Sequence, residues 1–138
     1  MRIIKNPAWV FYLGDTDSLI EEKTGKWMYF FDGEKGAQVA SEMCNKSVQE
    51  DVVVEAKHSN SIKGVACFYL NCDDMGAHKK IIEFFISNGL IAKTKTGKYY
   101  NISFKLDAQT GAGEYGSDFS SDIKLSNFID LYTGEWVV

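Results

Sequence analysis

The chain has 138 residues, of which 45% are hydrophobic and 14% aromatic, and it contains a single proline. This length and composition indicate one folded domain over residues 1–138 and exclude an intrinsically disordered chain. The formal net charge of −4 excludes a protein built to coat duplex DNA, whose binding surface would be net basic, although a local basic patch could still bind phosphate.

The first half of the chain predicts three strands and one helix. Aromatic and β-branched residues over 7–13 and 26–31 predict two strands that pair or lie side by side, with an acidic loop between them. Asp32 is a candidate N-cap, and small and apolar residues follow it at helical spacing as far as Ser47. A third strand is predicted over residues 51–58.

The second half of the chain predicts a hairpin, a helix and two further strands. The apolar run 62–71 predicts a strand that pairs with the strand before it. The segment 75–87 has a broad apolar face, follows two aspartates that can cap it, and ends at an Asn-Gly pair. Residues 90–106 read as two strands around a Thr-Gly turn.

The last segment is predicted to be mostly irregular. Residues 107–118 are glycine-rich and predict a loop with a short edge pairing at Glu114 and Tyr115, and Ser126 is a candidate cap for a helical turn. Strand pairs interrupted by two helices predict an α+β fold, with a curved antiparallel sheet and both main helices packed on one of its faces.

The alternation of side chains divides the predicted sheet into a covered face and an open face. The covered parity is apolar, whereas the open parity is expected to hold Glu55, Lys57, Lys63, Cys67, Tyr69, Tyr99, Asn101, Ser103 and Lys105. Lysines supply charge, and phenol, amide and hydroxyl groups orient a ligand by hydrogen bonds, so this face could bind phosphate. The alternative is the ordinary solvated face of an antiparallel sheet. Trp9 and Trp27 are predicted to be core residues.

Cysteine usage and hydropathy predict a cytoplasmic protein. Cys44, Cys67 and Cys72 are odd in number and form no C-x-x-C pair, which favours free thiols over a metal site. No run of residues approaches the about 20 apolar positions of a membrane helix, and the first residues lack the apolar core of a signal peptide. No metal, cofactor or membrane partner is predicted, and the sequence identifies no protein partner.

Four segments of the chain resemble one family: "TGKWMYFF", "EAKHSNS", "ACFYLNCDDM" and "SFKLDAQTGAGEY". It is the uncharacterised family of the basophilic leukaemia-expressed protein, whose bacterial members carry a phosphothreonine lyase domain label. The matching positions are Gly25, Lys26, Trp27, Ala56, Lys57, Phe68, Tyr69, Leu70, Asp73, Asp74, Phe104, Lys105, Asp107, Thr110, Gly113 and Tyr115. The resemblance implies a fold like that of the cap-binding translation initiation factor.

The resemblance also raises the hypothesis of a lyase that removes phosphate by β-elimination. Such a reaction needs a base, an acid for the leaving phosphate and cations around it. The candidates are Lys105 or Lys57 as the base, His58 as the acid, and Lys63 on the phosphate. Because Lys57 and His58 are consecutive, a regular strand directs them to opposite faces. This favours non-catalytic binding over the lyase.

The preferred hypothesis is therefore a domain that binds a phosphorylated peptide, nucleotide or small metabolite on its open sheet face. The predicted ligand-binding residues are Lys63, Tyr69, Tyr99, Asn101 and Ser103. A third hypothesis is a protein–protein adaptor that uses the acidic loop with Asp15, Asp17, Glu21 and Glu22. His78 lies in the second helix and is predicted to be exposed to solvent.

Overall fold

The computed structural model describes residues 1–107 and 123–138. Within this part of the chain, six strands form one antiparallel sheet in the spatial order β1-β2-β4-β5-β3-β6. The strands are β1 (Arg2–Lys5), β2 (Trp9–Leu13), β3 (Thr24–Asp32), β4 (Glu55–Ser59), β5 (Lys63–Asn71) and β6 (Lys105–Leu106), and the helices are α1 (Glu34–Gln49) and α2 (Met75–Ser87). The prediction of an α+β fold with an antiparallel sheet is confirmed.

Both helices pack on the same face of the sheet. Phe68 of β5 is the strand partner of Trp27 in β3, and its ring lies 5.1 Å from that of Phe85 in α2. On the same face, the hydroxyl of Tyr12 in β2 lies 3.1 Å from the hydroxyl of Ser41 in α1. One apolar core therefore lies between the sheet and the helices, and the opposite face of the sheet carries no helix in the described part of the chain.

The predicted pairing of the first two strands is wrong. β2 pairs with β1 and with β4, whereas β3 pairs with β5 and β6. The sequence pattern does not predict β1, because all four of its residues are exposed and it has no buried apolar face. The short 3-10 turns Thr16–Ser18 and Glu21–Lys23 carry the chain between the two strands. The predicted hairpin of β4 and β5 is confirmed.

The two strands predicted within 90–106 are largely wrong. Only Lys105–Leu106 joins the sheet, at the edge of β3, and Lys93 and Tyr99 form an isolated bridge around the turn at Gly97, where φ is +86°. The backbone N–H of Tyr99 instead donates to Leu131. The segment around Tyr99 is therefore bonded to the C-terminal segment, whereas the sequence pattern predicts that it belongs to the sheet.

The helix ends follow their capping residues. α1 begins after Gly33, not Asp32, because Asp32 is still paired in β3. The side chain of Asp74 accepts a hydrogen bond from the Ala77 N–H at 3.0 Å and caps α2. That helix ends at Ser87, with Asn88 as its C-cap, in agreement with the predicted stop at the Asn-Gly pair.

Two smaller expectations concern the C-terminal segment. Ser126 does not cap a turn, since it lies inside the 3-10 turn Leu125–Asn127 with Lys124 at the cap position. The expected edge pairing of Glu114 and Tyr115 lies outside the described residues. In the described part of the chain, no helix has the length and apolar character needed to cross a membrane.

Candidate functional site

The open face of the sheet brings together charged side chains from three strands and a tyrosine from a fourth. Lys26 of β3 is the strand partner of Tyr69 on one side and of Lys105 on the other. The register of β4 and β5 places Glu55 beside Tyr69, one position beyond the pair Ala56–Phe68. Glu55, Tyr69, Lys26 and Lys105 therefore form a row across the sheet, and Lys57 lies two residues further along β4.

Lys57 lies among three aromatic rings. Its ammonium nitrogen is 3.9 Å from the centroid of the Trp9 ring, 5.6 Å from that of Phe11 and 5.9 Å from that of Tyr69. Within residues 1–107 and 123–138, no carboxylate lies within 4.0 Å of this nitrogen. The rings attract the cation through their faces, so its N–H groups remain available to an anion.

The prediction that both early tryptophans are core residues is correct for one of them. Trp27 is completely buried under the helices. Trp9 is only partly buried and lies on the open face beside Lys57. Both faces of β2 carry apolar residues, since Phe11 and Leu13 share the parity of Trp9. The pattern therefore indicated that Trp9 is buried.

Lys26 is a buried member of the open face that the sequence analysis did not select. Its side chain is 11% exposed, and its ammonium nitrogen lies 2.6 Å from a carboxylate oxygen of Asp107. Buried lysines almost always have such a partner. The available signal was the parity of β3, which places Lys26 on the face of its strand neighbour Tyr69.

A cavity of about 490 Å³ opens on this face beside Lys57. It is lined by Thr16, Leu19, Glu21, Thr24, Glu55, Tyr69 and Asp107. The loop between β2 and β3 forms one wall and contributes Glu21, which belongs to the acidic loop noted in the sequence. Three carboxylates therefore line the cavity, whereas Lys57 is not one of its lining residues.

Burial sets the protonation of the groups around the cavity. It raises the pKa of the Tyr69 phenol and, against the opposing effect of Lys57, the pKa of the Glu55 carboxyl. Burial also raises the pKa of the Cys67 thiol to about 11, and nearby Lys26 and Lys57 oppose that rise. Tyr69 and Cys67 are thus neutral at pH 7, and the thiol is a poor nucleophile in this state.

Lys63 lies on the predicted face but outside this cluster. It is exposed at the opposite end of β5, paired with Asp32, and lines a separate shallow apolar pocket with Phe30 and Val65. Six residues of strand separate it from Tyr69, which corresponds to about 20 Å. The expectation that Lys63 shares a cavity with Tyr69 is therefore wrong.

Tyr99, Asn101 and Ser103 do not lie on the sheet face, which corrects the sequence analysis. Asn101 exchanges two hydrogen bonds with Ser126, donating from its amide at 3.0 Å and accepting from the backbone N–H at 2.9 Å. Ser103 bridges to Lys124, and Tyr99 bridges to Lys93. These polar groups hold the C-terminal segment because the strand predicted for them does not form.

His58 lies on the helix-covered face, opposite Lys57. It is 8% exposed, its Nε2 atom is 3.1 Å from the Tyr12 hydroxyl, and its Nδ1 atom is 3.0 Å from the Ser59 carbonyl. β4 continues through both positions, so Lys57 and His58 do not reach a common substrate. Lys105, the other candidate base, also lies on the open face, so the sheet separates both candidate bases from the candidate acid.

The prediction of a solvent-exposed His78 is wrong. This residue is completely buried, its Nδ1 atom accepts a hydrogen bond from the Trp27 indole at 3.0 Å, and its Nε2–H donates to the Cys72 carbonyl at 2.8 Å. An indole nitrogen can only donate, which assigns the proton to Nε2. Burial lowers the pKa of His78, so a neutral imidazole links α2 to the sheet.

Among the residues that the structure describes, no three His, Cys, Asp or Glu side chains lie close enough together to hold a metal ion. All three cysteines are free thiols. Comparison with protein-family models gives no match to this chain, and no curated protein matches it significantly. The family resemblance of the four segments therefore stays a prediction.

Proposed function

We propose that this protein binds a phosphorylated ligand on the open face of its sheet, with the phosphate group at Lys57. The Lys57 ammonium supports this proposal most directly, because it lies over an aromatic ring and no described carboxylate is within ion-pair distance of it, although Glu55 on the same strand interacts with it electrostatically. Phosphate oxygens accept charge-assisted hydrogen bonds from such a group. A solvated sheet face has no need of three rings around one lysine.

Lys26 and Lys105 support the same assignment from the neighbouring strands. They are strand partners, and both lie on the same face of the sheet as Lys57. Lys26 also interacts with Asp107, so its role is to shape the field of the site, and Lys57 makes the contact. Tyr69 contributes a neutral hydroxyl to the adjoining cavity.

We further propose that the sheet belongs to the class of folds that the resemblance implies, a curved sheet backed by helices as in the cap-binding translation initiation factor. The six-stranded antiparallel order supports this. A cytoplasmic location is proposed as well, supported by three free cysteines in a chain of this size.

Binding without turnover is the function that we infer, in preference to phosphothreonine lyase activity. A β-elimination needs a base and an acid at one substrate, and Lys57 and His58 lie on opposite faces of the sheet. The adaptor hypothesis used the acidic loop, and Glu21 of that loop lines the cavity. The loop is thereby associated with the ligand site.

The decisive experiment is a calorimetric titration of the protein at low ionic strength, once with a phosphothreonine peptide and once with inorganic phosphate. The variant Lys57→Gln should weaken binding about tenfold or more, as expected for the loss of a charge-assisted hydrogen bond. The matched control is Lys63→Gln, an exposed lysine on the same face but far from the cavity, which should leave the affinity within about twofold of wild type.

Equal affinity of the wild type and Lys57→Gln, or no response of the wild type to either probe, would overturn the proposal. Mass analysis of the peptide after incubation tests the lyase hypothesis in the same samples. Loss of the phosphate group together with formation of the dehydrated residue would establish turnover, whereas an intact peptide supports binding alone.

A further inference from the structure

A cluster of lysines and aromatic rings lies where the C-terminal segment packs against the loop with Lys93 and Lys98. The ammonium nitrogen of Lys93 lies 4.6 Å from the centroid of the Tyr99 ring, and that of Lys98 lies 5.6 Å from the centroid of the Tyr132 ring. The backbone N–H of Tyr99 donates to the Leu131 carbonyl at 2.8 Å. The two lysine–ring pairs therefore lie on adjoining segments and form one surface.

Helix α2 adds a further lysine–ring pair. The ammonium nitrogen of Lys79 lies 5.9 Å from the centroid of the Trp136 ring and donates a hydrogen bond to the Val138 carbonyl at 3.1 Å. Because α2 packs on the covered face of the sheet, this pair lies on the side of the sheet opposite to Lys57. Together the pairs form a basic aromatic patch that consists of Lys79, Lys93, Lys98, Tyr99, Tyr132 and Trp136.

The patch is basic although the chain as a whole is acidic. Residues 90–106 contain four lysines and no aspartate or glutamate. Within the residues that the structure describes, no carboxylate lies within 4.0 Å of the ammonium group of a patch lysine. Residues 123–138 contribute two acids, Asp130 and Glu135, and the Asp130 carboxylate accepts hydrogen bonds from two backbone N–H groups of its own turn. The patch lysines thus keep N–H groups for an external anion.

The rings of the patch differ in exposure, which divides their roles. Tyr132 is 65% exposed and Trp136 is 42% exposed, so each has ring surface that no described residue covers. Tyr99 is only partly exposed and lies against the C-terminal turn, where a Cβ atom at Gly134 would meet its ring at 3.4 Å. Tyr132 and Trp136 are therefore the rings that a planar ligand group can reach, and Tyr99 positions Lys93.

Flat apolar rings beside cations without an ion-pair partner are complementary to a polymer that alternates planar groups with negative charges. Single-stranded nucleic acid has this pattern, because its bases stack on aromatic side chains and its phosphates bind lysines. A duplex keeps its bases stacked on one another, so the exposed rings would have no partner on it. An acidic peptide would contact the lysines and leave the rings exposed.

We propose that the basic aromatic patch binds single-stranded nucleic acid, with bases stacked on Tyr132 and Trp136 and backbone phosphates held by the patch lysines. The Lys98 ammonium and the Tyr132 ring are neighbours, so one nucleotide can contact both. This site is distinct from the phosphate site proposed at Lys57. Its residues belong to α2, to the loop before β6 and to the C-terminal segment, none of which is a strand of the open face.

The experiment titrates the full chain into a fluorescently labelled oligothymidylate of about twelve nucleotides, a length within the usual site size of such surfaces. Fluorescence anisotropy at low ionic strength measures the affinity. The wild type should show saturable binding that weakens as salt is added. Inorganic polyphosphate of the same length carries negative charges but no bases, so it should compete at least about tenfold less well than the unlabelled oligonucleotide.

Substitutions in the patch should separate the stacking contribution from the charge contribution. Tyr132→Leu should weaken binding about fivefold or more, whereas Tyr132→Phe, which keeps the ring, should stay within about twofold of wild type. Lys98→Gln should lower the slope of log affinity against log salt by about 0.7, the value for one phosphate contact on a single strand. The matched controls are Phe30→Leu and Lys63→Gln, because this ring is 71% exposed and this lysine lines the same pocket outside the patch. Both should leave the affinity within about twofold of wild type.

Absence of saturable binding by the wild type would overturn the proposal, and so would wild-type affinity in both Tyr132→Leu and Trp136→Leu. Equal competition by polyphosphate would also overturn it, since charge alone would then explain the binding. Preferential binding of the wild type to phosphatidylserine vesicles, lost in Lys98→Gln, would assign the patch to a membrane surface instead. Thermal unfolding verifies that each variant is folded.

The result is independent of the phosphate site at Lys57. Lys57→Gln should bind the oligonucleotide as the wild type does, while it loses affinity for inorganic phosphate. Loss of oligonucleotide binding in Lys57→Gln, with normal binding in Tyr132→Leu, would assign the nucleic acid to the open face and overturn the patch. The failure of one proposal is therefore distinguishable from the failure of the other.

Discussion

The ammonium group of Lys57 lies 3.9 Å from the centroid of the Trp9 ring, on a face of the sheet that carries no helix in the described part of the chain. The contact joins β2 to β4 across one diagonal of the sheet, since Lys57 is the direct partner of Phe11. It fixes a cation at the edge of a cavity whose walls are acidic.

The contact between Lys57 and Trp9 should be measurable as a coupling energy. In a double-mutant cycle with Lys57→Met and Trp9→Leu, the stability losses should be non-additive by about 0.5–1 kcal/mol, the usual value of a partly exposed cation–π pair. Urea denaturation of the four proteins measures it. The same cycle with Phe11→Leu should give a smaller coupling, because that ring is 5.6 Å away. Equal couplings would contradict the assignment.

Only the lysine of the ion pair between Lys26 and Asp107 is buried, so the two single substitutions should differ in the stability that they cost. Asp107→Asn should destabilise the fold by about 1–3 kcal/mol, because it leaves the buried Lys26 ammonium without its anion. Lys26→Met removes the charge that needs a partner and should cost less, since the side chain of Asp107 is 42% exposed to water. Chemical denaturation at low salt measures both, and a larger loss in Lys26→Met would refute this reading.

Acid should destabilise the protein through His78. Its folded pKa is lowered by burial, so the unfolded chain binds a proton near pH 6.5 and the folded chain does not. Stability should therefore be constant above the unfolded pKa and fall by up to about 1.4 kcal/mol per pH unit below it, until the folded pKa is reached.

The variant His78→Gln isolates this effect. Glutamine does not titrate, yet its amide can still accept from Trp27 and donate to Cys72. The stability difference between wild type and His78→Gln should shrink from pH 7.5 to pH 5, as seen by urea denaturation at each pH. The other histidine, His58, is present in both proteins and serves as the internal control. A difference that is independent of pH would show that His78 does not titrate on unfolding.

Gly25 should tolerate no side chain. A Cβ atom there would collide with the ring of Phe104 and with the Lys105 carbonyl oxygen, so Gly25→Ala should cost about 1–3 kcal/mol or more. In the first turn of α2, a Cβ atom at Gly76 would meet only Asp74, at 3.6 Å. Gly76→Ala should therefore stabilise the fold by up to about 1 kcal/mol through helix propensity. Thermal unfolding compares the two, and a neutral Gly25→Ala would indicate that β6 moves away from β3.

The sequence predicted well the elements that are defined by local signals, such as a strand pair joined by a short turn or a helix with capping residues. β4 and β5 form the expected hairpin, and α2 lies between its aspartate cap and Asn88. β1 was not predicted, because its four residues are exposed and it has no buried apolar face. The strand predicted over 98–106 failed for the opposite reason: Ile102 and Phe104 alternate as in a strand, but their segment is bonded to Ile123 and Leu125.

The candidate site could be predicted only where strand parity alone decides the position of a side chain. Lys57, Tyr69 and Lys105 lie on one face as expected, because parity fixes the face within a strand. Parity says nothing of distance along the strand, so Lys63 was grouped with them although it is exposed at the far end of β5. Parity places Lys26 on this face as well, but it does not indicate that Lys26 is buried and paired with Asp107.

The sequence by itself determined the fold class, the helix positions and the side of the sheet on which the lysines of β4 and β5 lie, because hydrophobic periodicity and capping are local properties of the chain. The tertiary structure alone decided which strands are neighbours and which side chains therefore meet. Lys57 meets Trp9, Lys26 meets Asp107 and Glu55 meets Tyr69 across positions that are 14 to 81 residues apart. Such contacts depend on strand order, and strand order follows from how the whole core packs.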